Sequence, residues 1–443
     1  MDIKKMYEEK KCTAEEALEL IKDKDCMYAA QAASEPQAIL SHLDHLKKTG
    51  VKDTILTTCL PIAKHPAFHD PEMVGIMKHN GWFLNADLRK AHEERLCHVV
   101  PQRSCVILDA TMERNRREGR RDVVLATASP MDEHGYLSLS ISAIYEKDLI
   151  DRGALTILEV NPNYPRTFGD TQVHISQVAA LVESDRPVPE APILPYPEID
   201  AKIGKNIADL IEDGSTIQLG IGYIPNAVAH ELKSKKHLGI HTEMITETMV
   251  DLIECGAVDN SQKGLLNGYT VGSFAMGSKK LYNFLENNPT VLFKSCTFTN
   301  NPWVIAQNKK FVSINASLEI DLMGQCASES IGPVQYSGTG GQSETVMGAR
   351  MSEGGKSIIA MHSTYSTKDE NGKEVLHSKI VPMLKQGSVV STSRNDVDYV
   401  VTEYGVAWLA GANLEDRVKA LIAIAHPDFR EELARQAEEL KFW

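Results

Sequence analysis

One stretch, residues 215–248, most constrains how this chain folds, because it holds a complete strand–turn–helix–strand unit. Ser215 to Leu219 is a short β-type run, and the glycine turn Gly220-Ile221-Gly222 follows it. The next residues, 226–232, have a helical pattern. Pro225 stands just ahead of them, where a helix tolerates proline. The stretch therefore predicts one repeat of an open α/β sheet, in which a helix connects two strands.

A carboxylate follows the second strand of this unit. The apolar run 238–240 predicts a short strand, and Glu243 comes just past its end. Ligands of open α/β sheets gather at the carboxyl ends of the strands. We therefore expect the glycine turn and Glu243 to lie in the same crevice.

A second glycine-rich loop, Gly338-Thr339-Gly340-Gly341-Gln342, appears far downstream. Taken alone, a Gly-x-Gly turn is most often only a tight turn, and a lone glutamate after a strand is usually solvated. Two glycine loops and a carboxylate in one domain favour another interpretation. They predict backbone N–H groups that lie close to a ligand.

A proline-rich stretch divides the chain. Five prolines between residues 187 and 197 exclude a central strand or helix there and indicate an extended linker. The chain has 443 residues, which is enough for two domains of ordinary size. We predict an N-terminal domain over residues 1–186, a linker over 187–199, and a C-terminal domain over 200–443 that carries the catalytic glutamate and the glycine loops.

A short internal repeat supports this division. Ile21-Lys22-Asp23 and Pro36-Gln37-Ala38-Ile39 match Ile211-Glu212-Asp213 and Pro225-Asn226-Ala227-Val228, about 190 positions later. Each copy has a strand and then a proline that opens a helix. The repeat predicts two related open α/β domains that face each other. Because the glycine turn occurs only in the second copy, we expect the second domain to carry most of the chemistry.

Short apolar runs and charged segments complete the prediction along the chain. The basic run 114–121 is typical of a solvated helix end, and residues 414–440 predict a helix that is broken at Pro427. Further strands are predicted at residues 26–30, 54–60, 104–108, 123–126, 137–142, 154–160, 311–316, 357–361, 387–391 and 398–402.

Charge and cysteine usage exclude several classes of protein. A net charge of −13 disfavours nucleic-acid binding, which needs a basic face. We find no apolar run long enough for a transmembrane helix and no signal-peptide core at the N-terminus. The eight cysteines form no Cys-x-x-Cys pair, and the fifteen histidines form no zinc motif. We therefore predict a cytoplasmic protein with reduced thiols, without a metal or a membrane contact.

The site residues suit acyl chemistry better than nucleotide or serine chemistry. The dinucleotide motif is absent because Pro225 occupies its third glycine position, and neither a P-loop nor a Gly-x-Ser-x-Gly elbow occurs. A desolvated carboxylate can itself attack an activated acyl group. The attack creates an oxyanion that glycine-loop N–H groups stabilise, and the anhydride formed must be kept from water.

Several longer runs together resemble the acetyl-CoA hydrolase/transferase family. They are QLGIGYIPNAV, HLGIHTEM, SGTGGQ, SKIVP, VVTEYG and LIAIAHPDF, and the resemblance spans nearly the whole chain. Within the family they are most similar to the 4-hydroxybutyrate CoA-transferases, and next to the butyryl-CoA:acetate CoA-transferases.

The resemblance implies a double-displacement reaction with CoA as a substrate and no further cofactor. The family's nucleophile maps onto Glu243, which would pass through an acyl anhydride and a glutamyl-CoA thioester. The CoA-contacting turn maps onto Gly220, Ile221, Gly222, Tyr223 and Ile224, and the second loop onto Gly340 and Gly341. Two interpretations remain for Lys379 in the SKIVP run: it meets a CoA phosphate, or it faces solvent. The implied partners are acyl-CoA, a small acid such as acetate, and further copies of the chain in a dimer or tetramer.

The chain departs from the family at one place. Relatives usually read GGQxDF, whereas here Gln342 is followed by Ser343, Glu344 and Thr345, so the acid is lengthened and an aromatic wall is lost. We expect this departure to change the acyl specificity more than the type of reaction. Two alternatives stay open beside a CoA-transferase: an acyl-CoA hydrolase of the same architecture, and a non-catalytic acyl-CoA-binding protein.

Overall fold

The computed structural model describes residues 2–442, which form two compact units. The first unit contains the chain up to Pro192, together with Glu243–Glu247 and Tyr269–Thr299. The second unit contains Ile193–Thr242, Thr248–Gly268 and the chain from Asn300 onward.

The strands of residues 2–442 are short, and most of the longer ones belong to two parallel sheets. They are Cys26–Ala29 (β1), Thr54–Cys59 (β2), Met77–Phe83 (β3), Cys97–Val99 (β4), Asp122–Ala128 (β5), Tyr136–Ser138 (β6), Leu155–Val160 (β7), Phe168–Gly169 (β8), Gln172–His174 (β9), Ala180–Glu183 (β10), Thr216–Gln218 (β11), Gly239–Ile240 (β12), Met244–Ile245 (β13), Thr270–Gly272 (β14), Phe274–Ala275 (β15), Val291–Phe293 (β16), Phe311–Ala316 (β17), Glu319–Asp321 (β18), Cys326–Ala327 (β19), Ser330–Ile331 (β20), Val334–Gln335 (β21), Lys356–Ala360 (β22), Thr364–Lys368 (β23), Glu374–Ser378 (β24), Ile380–Val381 (β25), Tyr399–Thr402 (β26) and Gly405–Trp408 (β27).

The α-helices of the same residues alternate with the strands in both units. They are Ile3–Lys10 (α1), Ala14–Leu18 (α2), Gln37–Leu40 (α3), Leu46–Thr49 (α4), Ala86–Glu93 (α5), Ser104–Glu118 (α6), Glu146–Asp151 (α7), Glu198–Ala208 (α8), Tyr223–Glu231 (α9), Glu247–Glu254 (α10), Lys279–Leu285 (α11), Cys296–Thr299 (α12), Pro302–Ile305 (α13), Gln342–Met351 (α14), Leu414–Ala423 (α15) and Pro427–Glu439 (α16).

The main sheet of the first unit is parallel throughout and is buried on both faces. Its order is β10-β7-β5-β1-β2-β3-β4. Side chains alternate between the faces of a strand, so Met27 and Ala29 of β1 enter one apolar cluster, and Cys26 and Tyr28 enter the other. Burial of both faces is the usual condition of a parallel sheet.

The main sheet of the second unit has the order β12-β11-β17-β22-β26-β27. Its neighbouring strands are parallel except for the last pair, β26 and β27, which is antiparallel. Helices α8 and α9 pack closely because α8 has a glycine at the contact. A Cβ at Gly204 would lie 2.7 Å from the Cβ of Ala227. This close approach fixes the start of α8 relative to the helix that follows the glycine turn.

The two sheets have related orders, and the prediction of two related α/β domains is confirmed. In each sheet, the strand that follows the repeated Ile-x-Asp segment pairs on one side with the next strand along the chain. These pairs are β1 with β2 and β11 with β12. Later strands then extend the sheet from the other side, β5 and β7 in one unit and β17 and β22 in the other. Short helices cover these sheets as the alternating pattern predicted.

The division between the units differs from the predicted domains in one respect. The boundary at Pro192 and Ile193 falls inside the predicted linker, and residues 187–197 form neither helix nor strand. However, residues 243–247 and 269–299 belong to the first unit, although the sequence places them in the second half. The burial of Phe274 explains part of this difference, because its side chain packs in the apolar cluster of the first unit. The position of Glu243 in the sequence therefore does not show to which of the two units it belongs.

Two predicted strands are wrong. Residues 104–108 begin the helix α6, whose Ile107 and Leu108 are buried. Residues 387–391 form a turn and an extended segment, because Gly387 has a φ of 86° and the Val389 N–H donates to the side chain of Ser330 rather than to a neighbouring strand.

The charged and proline signals at the helix ends are confirmed. Arg114, Arg116 and Arg117 lie on the last turns of α6, and their exposed side chains pair with Glu113 and Glu118. The C-terminal helical region is divided into α15 and α16, and Pro427 is the first residue of α16. Within residues 2–442, no helix combines the length and the apolar character that crossing a membrane requires.

Candidate active site

The glycine turn connects β11 to α9 and leaves open space in front of it. Gly222 has a φ of 115°, which side chains with a Cβ rarely adopt, and it caps α9 without a side-chain hydrogen bond. A Cβ placed on Gly220 or Gly222 would meet no described atom within 4 Å. These glycines are therefore not explained by packing, and the start of α9 is accessible to a ligand.

The helix after this turn begins earlier than predicted. It starts at Tyr223, so Pro225 is its third residue rather than the residue ahead of it. Proline is tolerated in a first turn because the N–H it lacks has no partner within the helix. Tyr223 and Ile224 consequently supply the N–H groups at the open end of the helix.

A cavity of about 430 Å³ lies in front of the turn, within the second unit. It is formed where β11, β17 and β22 end, which is where an open α/β sheet binds ligands. The residues that line it come from these strand ends, the turn, α8 and the segment before β25: Asp200, Gln218, Gly220, Ile221, Gly222, Tyr223, Ile224, Pro225, Ile314, Asn315, Ala316, Ser317, Ala360, Met361, His362 and Lys379. The structure therefore brings the predicted turn and Lys379 together in one cavity.

Lys379 lines this cavity and is partly buried. Burial lowers the pKa of Lys379, and the negative charge of Glu403 acts in the opposite direction. Glu403 is fixed in turn by Ser363, whose N–H and hydroxyl donate to its two carboxylate oxygens at 3.0 and 2.5 Å. The lysine is thus held at the cavity wall, and its contact with a CoA phosphate stays a prediction.

The second glycine loop lies beside the cavity rather than in its lining. Gly340 has a φ of 56°, and Gly341 caps the start of α14. Neither belongs to the described residues that line the cavity. Gln342 connects the loop to the cavity wall, because its side-chain N–H donates to the carbonyl oxygen of Ala316 at 2.7 Å. The role of Gly340 and Gly341 at an oxyanion stays a prediction.

The residues that depart from the family pattern are buried. Glu344 and Thr345 are inaccessible at the start of α14. The hydroxyl oxygen of Thr345 accepts hydrogen bonds from Ser313 and from the side-chain amide of Asn315, both at 3.0 Å. Asn315 lines the cavity. Thr345 therefore positions the polar side chain of Asn315 at the cavity wall. The sequence had predicted only that an aromatic contact is lost here.

Glu243 belongs to the first unit, where its backbone is anchored. Its carbonyl oxygen accepts hydrogen bonds from the N–H groups of Ser273 and Phe274, at 2.8 and 3.1 Å. Strand β13 begins at the next residue and pairs with β15. The side chain is half-buried. The fixed backbone is what a nucleophile that must keep a defined position requires.

The Cys59 thiol of the first unit lies within electrostatic reach of both Glu243 and Glu146, and the sequence did not single out Cys59 or Glu146. Burial raises the pKa of the Cys59 thiol well above its ordinary value, and the charges of Glu243 and Glu146 raise it further. Glu146 is fully buried and accepts from the Ser142 hydroxyl at 2.6 Å, and burial raises its pKa. The neutral form of the Cys59 thiol is therefore favoured by burial and by two nearby glutamates, one of which is Glu243.

The strand order of the second unit bears on the predicted crevice only up to the end of β12. Because β11 and β12 are parallel neighbours, the glycine turn and His241-Thr242 leave the sheet at the same edge. Glu243 is the next residue along the chain. That the turn and the Glu243 carboxylate share one crevice stays a prediction.

Glu247, a second carboxylate close to Glu243 in the chain, is not a solvated helix residue. Its half-buried carboxylate accepts hydrogen bonds from both the N–H and the hydroxyl of Ser278, the residue that caps α11. Glu247 therefore has a structural role within the first unit.

The comparisons with known proteins cover the whole chain. Residues 1–193 match the acetyl-CoA hydrolase/transferase N-terminal domain, and residues 277–437 match the C-terminal domain of the same family. The chain is 41% identical over 437 residues to the 4-hydroxybutyrate coenzyme A transferase of Clostridium kluyveri, covering 98% of this chain and 99% of that protein. It is 34% identical to the butyryl-CoA:acetate CoA-transferase of Anaerostipes caccae, covering 100% and 99%. The crystal structure of RipA from Yersinia pestis aligns over 100% of both chains, with a TM-score of 0.90 and 35% identity.

Proposed function

Because the chain belongs to the acetyl-CoA hydrolase/transferase family, we propose that it transfers CoA between a short-chain acyl-CoA and acetate. The protein is a CoA-transferase, as are the relatives named above. These relatives are named for 4-hydroxybutyrate and butyryl-CoA, and we assign an acyl group of this size to the present chain. CoA enters as a substrate, and the proposed reaction needs no other cofactor.

The proposed mechanism is a double displacement at Glu243. The carboxylate attacks the thioester carbonyl carbon, the C–S bond breaks, and an acyl-glutamyl anhydride and the CoA thiolate form. The thiolate then attacks the glutamyl carbonyl carbon, which gives a glutamyl-CoA thioester and releases the acid. Acetate attacks this thioester, and the same steps in reverse give acetyl-CoA and the free Glu243 carboxylate.

One observation in particular carries this proposal: the glycine turn faces open space at the carboxyl ends of three parallel strands, in a cavity that Lys379 also lines. Backbone N–H groups at the start of α9 suit an oxyanion or a phosphate, because the positive end of the helix dipole lies there. The chain has a net charge of −13, so an anionic ligand needs a local positive charge to bind, and Lys379 supplies it.

An acyl-CoA panel with acetate tests this function. We expect butyryl-CoA or 4-hydroxybutyryl-CoA to be consumed together with acetate, with equimolar formation of acetyl-CoA and the released acid. Without acetate, consumption stops after about one turnover, because the intermediate has no acceptor. The measurement is product identification by chromatography, with matched reactions that lack acetate.

Other results would contradict the proposal. Release of free CoA at the same rate without acetate would show a hydrolase, in which water reaches the anhydride or the thioester. Binding of acyl-CoA without turnover under any condition would show a binding protein. The cytoplasmic location and the assembly of the chain into a dimer or tetramer stay predictions from the sequence.

A further inference from the structure

A pair made of a buried aspartate and a partly exposed histidine occupies the wall of the cavity in the second unit. The Nε2 atom of His362 lies 2.8 Å from Oδ1 of Asp200. A carboxylate only accepts hydrogen bonds, so the imidazole ring donates. Both residues line the cavity that contains the glycine turn. Asp200 is 1% exposed, whereas the His362 side chain is one-third exposed.

The second oxygen of this carboxylate has no protein partner. Oδ2 of Asp200 is buried and accepts no hydrogen bond from residues 2–442. A buried acceptor that is left unsatisfied costs free energy, and the cost is larger for a charged group. A cavity wall is where such an atom finds a donor when a ligand binds.

The fold holds Asp200 rigidly at this position. It is the third residue of α8, and the close packing of α8 on α9 at Gly204 fixes the helix beside the turn. The His362 backbone follows β22 directly, and the adjacent Ser363 is tied to Glu403. Neither side chain is placed by a flexible loop, so the unfilled oxygen is preorganised.

The charge of Asp200 selects the chemistry of its ligand. An anion beside an unfilled carboxylate oxygen would be repelled, so the phosphates of CoA belong to the Lys379 part of the cavity instead. Because CoA carries no cationic group at neutral pH, the part of it that meets Asp200 is a neutral donor. Ile221, Ile314 and Met361 line the same cavity, and they suit a ligand in which methylenes separate the polar groups.

We propose that Asp200 binds an amide N–H of the pantetheine arm of CoA, and that His362 holds the Asp200 carboxylate in place. The arm alternates amides with short methylene chains and carries the reacting sulfur. This inference rests on the proposed function, because it concerns how the same substrate is held. Asp200 is the binding residue, and His362 is a positioning residue.

The test compares Asp200→Asn with wild type on two substrates, butyryl-CoA and butyryl-pantetheine, at saturating acetate. The asparagine oxygen remains available to His362, so its NH₂ group faces the amide N–H, donor against donor. We expect kcat/KM to fall about ten- to a hundredfold for both substrates by the same factor, the size of a lost hydrogen bond to a charged group. If butyryl-pantetheine turns over too slowly, calorimetry replaces it: the affinity for CoA falls and that for adenosine 3′,5′-bisphosphate does not change.

Glu198→Gln is the matched control. Glu198 lies in the same first turn of α8, is exposed and pairs with Lys202, and its substitution removes the same charge near the helix start. Both variants remove one negative charge from the first turn of the helix, but only Asp200→Asn changes the cavity. We expect wild-type kcat/KM in Glu198→Gln with both substrates.

A second pair of variants tests the positioning role. His362→Ala removes the donor to Asp200 and is expected to lower kcat/KM several-fold for both substrates. His362→Gln keeps an N–H donor and is expected to recover most of that loss. A role of His362 in stability alone would change the melting temperature without this rescue.

Distinct outcomes separate the two proposals. A loss confined to butyryl-CoA, or a weakened affinity for the bisphosphate, would place Asp200 at the nucleotide half of CoA and overturn the inference. Unchanged kinetics in a folded Asp200→Asn protein would show that water, not the substrate, satisfies the Asp200 carboxylate of the wild type. This result would also overturn the inference. Absence of CoA transfer by the wild type with every acyl-CoA would instead contradict the proposed function.

Discussion

Glu243→Gln is expected to abolish CoA transfer, with kcat falling by about four orders of magnitude or more, because an amide cannot act as the nucleophile. Glu243→Asp keeps a carboxylate but retracts it by one methylene. A displacement of roughly one ångström costs about a hundredfold when the backbone cannot follow. The backbone here is fixed by the hydrogen bonds from Ser273 and Phe274 to the Glu243 carbonyl oxygen. The measurement is steady-state transfer from butyryl-CoA to acetate.

Glu247→Gln is the control for this prediction. Glu247 is a half-buried carboxylate four residues further on and belongs to the same unit, but its Oε2 atom accepts hydrogen bonds from the N–H and the hydroxyl of Ser278. We expect near wild-type turnover and a loss of about 1 kcal/mol in the free energy of unfolding, since an amide keeps one acceptor. An active Glu243→Gln protein, or an inactive but folded Glu247→Gln protein, would contradict the assignment.

Gly220→Val is expected to lower kcat/KM by about a hundred- to a thousandfold. Gly220 has no positive φ, and a Cβ there meets no described atom within 4 Å, so valine causes neither backbone strain nor a clash within the protein. The new side chain instead fills the space where we place the thioester. Valine keeps its own backbone N–H, but its side chain would hold the thioester oxygen away from the N–H groups of the turn, and the loss of one aimed donor has an effect of this size. The measurement is kcat/KM for acyl-CoA, together with the melting temperature, which is expected to change little.

Gly256→Val is the control for the glycine turn. Gly256 also faces open space, but it follows α10 and has a φ of 78°, so valine there is strained. We expect this variant to be less stable and to keep wild-type kcat/KM. If Gly220→Val folds normally and keeps its kcat/KM, the turn does not face the substrate.

Strong local signals were sufficient to predict most of the fold. The runs that became β2, β5, β7, β17 and β22 are short, apolar and bounded by turn residues, and a parallel sheet buries both faces of such strands. Residues 104–108 show the limit of that signal. A five-residue apolar run fits a buried strand and the start of a helix equally well, and only the continuation to Glu118 shows that it is helical.

The candidate site was predicted where a local motif marks each residue and missed where only long-range packing brings unmarked residues together. The glycine turn and Lys379, which two separate motifs mark, line one cavity, and their roles toward CoA stay predictions. Asp200 and His362 are far apart in the chain, and no periodic pattern connects them. Membership of Glu243 in the first unit depends on contacts of residues 243–247 with residues 273–276, which local propensity does not describe.

The glutamyl-CoA intermediate is the central claim, and trapping it is the most direct test. The protein is incubated with butyryl-CoA without acetate, treated with borohydride, digested and analysed by mass spectrometry. A thioester is reduced to an alcohol, whereas a free carboxylate resists borohydride. We predict irreversible inactivation that requires butyryl-CoA, and reduction of the Glu243 side chain in the peptide that contains His241-Thr242-Glu243-Met244. Modification of Glu247, Glu146 or Cys59 with Glu243 unchanged would contradict the account.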